Sequence, residues 1–153
     1  MRLAACLPLL LVAVAAVPAV QPLSAYVGKY PFNKVGGYKF ITHPTVRSAV
    51  DDAVFNKSVK AAVLSDGVAG PIRKQGSLIL TWSCEPHNCG SHNWSIAIVG
   101  PKGPAAVCYH DEDLMGDMSA WFLGGVRKFG ARGGCPAEMS DVPPNLASLL
   151  DLH

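Results

Sequence analysis

The residues best suited to chemistry lie in one short run, Ser83-Cys84-Glu85-Pro86-His87-Asn88-Cys89-Gly90. It is a cysteine-to-cysteine loop with a histidine near its tip. If Cys84 and Cys89 pair, the loop is closed covalently at its base, and Pro86 fixes one backbone torsion just before His87. A ring this short removes only about 2 kcal/mol of chain entropy. Its larger effect is local, because it turns an exposed and normally mobile tip into a fixed mount for one imidazole. A rigid histidine of this kind suits insertion into another protein's cleft.

Other chemistries fit less well. Cys84, Cys89, His87 and His92 make a candidate metal set, but the cysteine spacing is at the loose end for zinc and no second ligand pair follows. Redox catalysis calls for a C-x-x-C pair at a helix start, which the chain lacks. His87 or His110 with Asp111 offers an acid–base pair for a small hydrolase, with Glu112 and Asp113 beside it. Adjacent acids in a turn are usually only solvated, and no serine sits in a nucleophile elbow. No glycine-rich phosphate loop of recognised spacing is present. The expectation is a non-enzyme with no cofactor and no metal.

The elements around the loop read clearly. Leu78, Leu80 and Trp82 alternate with Ile79, Thr81 and Ser83 before it, and Trp94, Ile96 and Ile98 alternate with Ser95, Ala97 and Val99 after it. A period of two marks strands. Further strands are expected at Ala105 to Tyr109, Ser119 to Leu123 and Val126 to Phe129. The connections are too short for parallel crossovers, so the sheet is an antiparallel meander. Asp111-Glu112-Asp113 reads as an acidic turn. Upstream, Val46, Ala49, Val50, Ala53 and Val54 form one apolar helical stripe behind Pro44, with Asp51 and Asp52 on the solvated face. A second helical stretch over Val59 to Leu64 and a short closing helix at Leu146 to Leu152 complete the reading. The fold class is α+β, an antiparallel β-sheet meander with an N-terminal amphipathic helix packed on one face and a protruding disulfide-closed loop.

Residues 1–25 read as a secretory signal. Arg2 is the positive end, Leu3 to Val20 is apolar apart from prolines, and Leu23-Ser24-Ala25 is a cleavage site, with Val17-Pro18-Ala19 as the alternative. Residues 26–153 then form a single domain with no membrane insertion. The leader carries off Cys6 and one charge, Arg2, leaving 12 basic against 11 acidic residues. Near-neutrality argues against nucleic acid or an anionic membrane as partner. The four remaining cysteines allow three pairings. Nearness and the hairpin setting favour Cys84–Cys89, which leaves Cys108–Cys135.

Cys84-Glu85-Pro86-His87-Asn88-Cys89-Gly90-Ser91, between one strand and another containing Ile96-Ala97-Ile98, resembles the Ivy-type inhibitors of C-type lysozyme. Their hallmark is a C-x-P-H-x-C loop, and every fixed position is present. The likeness is looser over Pro44 to Phe129. It implies a periplasmic protein whose loop enters the lysozyme cleft, where the histidine engages the two catalytic carboxyls. His87 would be the key inhibitory residue, Cys84 and Cys89 the loop disulfide, and Pro86, Asn88 and Gly90 the residues that shape it. One position departs from the pattern. Members often carry a basic residue after the first cysteine, and this chain has Glu85, which is unfavourable near an acidic cleft unless it points outward or meets an arginine. Endogenous lytic transglycosylases are the alternative target, and edge-strand pairing offers a route to a homodimer.

Overall fold

The structure, a computed structural model, describes residues 19–101 and 103–151. Arg2 and the apolar run up to Pro18 lie outside the described residues. The chain folds as an α+β protein around a seven-stranded, wholly antiparallel sheet. Its strands are β1 (Val68–Ala69), β2 (Arg73–Gln75), β3 (Leu78–Cys84), β4 (His92–Val99), β5 (Ala105–Asp111), β6 (Met118–Leu123) and β7 (Val126–Arg132). From β3 to β7 each strand pairs with the next in sequence. β1 and β2 both pair with β3, so they share one edge: Val68 lies opposite Cys84 and Arg73 opposite Leu80.

Side-chain alternation divides the core into two. Ile79, Trp94, Ile96, Ile98, Val107 and Tyr109 point to one face. There they meet Val46, Ala49, Val50 and Ala53 of α1 (Pro44–Ala53) and Val59 and Val63 of α2 (Lys57–Val63). Leu78, Leu80, Ala97, Ala106, Cys108, Trp121 and Leu123 point to the other face, beneath Cys135 and the Leu146 and Leu150 side chains of α4 (Leu146–Asp151). The expected helical layer is thus one of two covers. β3–β5 are apolar on both faces, and the second face needs a lid.

The helices start where local chemistry starts them. Pro44 occupies the first turn of α1, and His43 caps it, its Nδ1 accepting from the Thr45 N–H at 3.2 Å. Asn56 caps α2 by accepting from the Ser58 and Val59 N–H groups. Asp51 and Asp52 are exposed, and Asp51 pairs with Lys60 at 2.8 Å. The acidic stretch is not a plain turn. Asp111 accepts from the Leu114 N–H at 3.2 Å and caps the short helix α3 (Glu112–Met115).

The folded unit begins ahead of Tyr26. Leu23 is 1% exposed and Tyr26 fully buried, both within the helix-side core. The His43 Nε2 donates to the Gln21 carbonyl at 2.8 Å. A boundary after Ala25 would strip Leu23 from this core, whereas the Val17-Pro18-Ala19 boundary leaves it in place. Among the described residues no helix is long and apolar enough to cross a membrane.

Two disulfides close the structure, Cys84–Cys89 and Cys108–Cys135. Paired cysteines of this kind belong to an oxidising compartment, extracellular or periplasmic.

Candidate functional site: the His87 loop

β3 ends at Cys84 and β4 begins at His92, so the register of this hairpin, with Cys84 opposite Asn93, sets the loop between them. Cys84 is fully buried. Glu85, Pro86, His87 and Asn88 are exposed. The loop carries its own backbone bonds. The Asn88 N–H donates to the Glu85 carbonyl at 3.0 Å, and the His92 N–H donates to the Asn88 carbonyl at 2.8 Å. Its ends are joined by the Glu85 N–H donating to the His92 carbonyl at 3.1 Å.

The four residues Glu85 to Asn88 form a tight turn with Pro86 at its second position and His87 at its third. His87 has φ 65°, in the left-handed region, and is the single non-glycine residue with positive φ among the described residues. Proline followed by positive φ is the type II arrangement, whose third position normally belongs to glycine or asparagine. An L-residue there costs about 1 kcal/mol. The strained backbone and the proline together hold the imidazole at the outer end of the loop.

Glu85 does not face outward as a free charge. Its Oε2 accepts from the Asn88 Nδ2 at 2.8 Å and lies 3.1 Å from the His92 Nδ1. The Asn88 amide and then His92 hold its carboxyl below the usual glutamate range. The chain of contacts continues inward. The His92 Nε2 lies 2.9 Å from the Tyr109 hydroxyl, which donates to the Asp111 Oδ2 at 3.2 Å. Burial, and then the Asp111 charge, pushes the Tyr109 phenol up to about 12. Trp94 and Tyr109 pack edge-on to the His92 ring, at 5.4 Å each. On the far side of the loop exit, Ser91 bonds to Glu112 through its hydroxyl, and its carbonyl accepts from the Glu112 N–H.

The other candidate sets are dispersed or consumed. The Cys84 and Cys89 sulfurs are bonded to each other, so the set with His87 and His92 has no thiolate to offer. Among the described residues no group of three or more metal-ligating side chains converges. His110 is 4% exposed, with its Nδ1 donating to the Met118 carbonyl at 2.9 Å, while Asp111 is taken up by Tyr109 and by the α3 cap. That pair is not assembled for acid–base work. The loop residues were legible because they are contiguous. Their supports, His92, Tyr109 and Asp111, come from strand register, and no local motif marks them.

Comparison of the chain with protein-family models, with curated proteins and with solved structures returned no match.

Proposed function

We propose that this protein is an exported inhibitor of C-type lysozyme that places the Cys84–Cys89 loop in the enzyme's cleft with His87 foremost. The observation that carries the reading is the left-handed backbone at an exposed, disulfide-closed histidine. Backbone strain of this sort persists where the surrounding structure over-determines it, and such residues cluster at working sites. A turn serving only to connect β3 and β4 is better served there by glycine or asparagine.

The chemistry is complementary. A retaining glycosidase sets two carboxyls about 5 Å apart, one protonated and one ionised. An imidazole carries a nitrogen on each side, and in its charged form both donate. The mechanism is occlusion, so it needs neither cofactor nor turnover. The departure at Glu85 is compatible with it, because that carboxylate is turned back onto Asn88 and His92. Within the oxidising compartments, the periplasm is the one where an inhibitor would protect peptidoglycan from an incoming lysozyme.

The test is a cell-wall lysis assay with C-type lysozyme and purified exported protein, alongside His87→Ala. Stoichiometric inhibition is expected, falling at least 100-fold in the variant, the order of loss for a central contact. Absence of inhibition at micromolar excess sinks the lysozyme reading, and the same assay with lytic transglycosylases then tests the alternative target.

A further inference from the structure

Behind the loop, on the sheet face away from α1, lies a residue with no role in the reading above. Asn93, near the start of β4, is 3% exposed. Its Nδ2 donates to the Cys89 carbonyl at 2.9 Å, and its Oδ1 accepts from the Cys135 N–H at 2.7 Å. One buried amide therefore joins the residue that closes the loop to the residue that closes the second disulfide. The approach is close. A Cβ added at Gly134 would lie 2.9 Å from both the oxygen and the nitrogen of that amide.

The segment that holds Asn93 is itself fastened to the sheet. The Ser95 Oγ donates to the Pro136 carbonyl at 2.6 Å in a buried bond. Cys108, which bonds to Cys135, stands opposite Ser95 in the β4–β5 register. Residues 134–136 are thus pinned by Asn93, Ser95 and Cys108 together. The Cys84–Cys89 bond fixes the sulfur of Cys89 but leaves its peptide free to rotate toward Gly90, which has no side chain to restrain it. The Asn93 amide supplies the missing second point of attachment.

We propose that Asn93 is a positioning residue for the His87 loop, and that the Cys108–Cys135 bridge acts on the loop through it. The proposal rests on the reading that the loop is the working surface, but its primary test does not.

That test is amide hydrogen exchange on the oxidised exported chain. It follows the loop donors Asn88, Ser91 and His92, with Ile96, Ala97 and Val107 as sheet references. The variants are Asn93→Leu, Gly134→Ala, and Cys108→Ser combined with Cys135→Ser. Loop amides should exchange roughly tenfold faster or more in each; in Asn93→Leu and Gly134→Ala the sheet references change by less than about threefold, the pattern of local opening, whereas in the double-serine variant they also rise with the bridge's share of global stability. Loop amides that keep their rates, or rates that rise by one factor throughout the sheet in Asn93→Leu and Gly134→Ala, overturn the proposal. Should Asn93→Leu fail to fold, Gly134→Ala still displaces the amide while keeping both of its partners.

The second readout is dissociation from C-type lysozyme, expected to be about tenfold faster with an unchanged association rate. Loop amides that respond in a protein that never inhibits lysozyme would leave the positioning role standing and remove the proposed function. Inhibition by the parent with loop amides unmoved in every variant would remove the positioning role alone.

Discussion

At position 87 an imidazole occupies a backbone geometry that glycine would hold without strain. Stability and activity should therefore part at this residue. His87→Gly relieves about 1 kcal/mol of strain and gives back part of it through a more flexible unfolded chain. The variant is expected to match the parent or exceed it by up to about 1 kcal/mol in urea unfolding, while the proposed lysozyme inhibition is lost. A clear loss of stability would show that the imidazole is held for packing. The neighbouring network responds to pH. Glu85–His92, His92–Tyr109 and Tyr109–Asp111 are three contacts, and two carboxylates can only accept. The Tyr109 hydroxyl donates to Asp111, and the His92 ring stands between Glu85 and Tyr109. Glu85, held below its usual range, contributes above that range and loses its contribution as pH falls through the lowered value. Loop amides should thus keep their protection above about pH 4.5 and lose it as pH falls below that. Tyr109 has the opposite sign. Its raised phenol contributes fully below about 10 and loses that contribution as pH rises through about 12. An ultraviolet titration should show that late phenol, and Tyr109→Phe should remove it.

Among the elements, the N-terminal arm carries a prediction of its own. If export removed residues up to Ala25, the core would lose Leu23, a side chain worth roughly 2–4 kcal/mol in such a site, along with the Gln21 carbonyl that His43 bonds. N-terminal sequencing of the exported protein is expected to begin at Val20. A chain started at Tyr26 should unfold at correspondingly lower denaturant, and equal stability of the two forms would refute this account of the arm. The arm shows where sequence reasoning stops. Leu23 reads as leader because its neighbours upstream are apolar, and only its burial within the helix-side cluster assigns it to the core. β3, β4 and β5 were legible because alternation over seven or eight residues is a long signal. β1 and β2 are two and three residues long, with polar Arg73-Lys74-Gln75 in the second, and exist because the edge of β3 pairs them. Asp111 as a helix cap and Asn93 as a clamp likewise depend on what register brings to them.

For the molecule as a whole, the two disulfides divide the labour unevenly. By loop length the Cys108–Cys135 bridge contributes roughly 3.5 kcal/mol and the Cys84–Cys89 bridge about 2, so the bridge farther from His87 contributes more to global stability. It also anchors the lid over the second sheet face, which makes the C-terminal third part of the core rather than a tail. The sheet has two open margins, and their make-up bears on how the protein behaves in a crowd of its own copies. β7 runs along one margin almost wholly exposed and carries Arg127, Lys128 and Arg132, the last paired with Asp117 at 3.5 Å, while the other is broken at Gly70-Pro71 between β1 and β2 and carries Lys74 beside Arg73, which pairs with Glu138. A second copy laying its β7 alongside would bring lysine and arginine against lysine and arginine, which is how natural sheets discourage fibrous stacking. Cationic borders of this kind work against the pairing of these edges with a second copy.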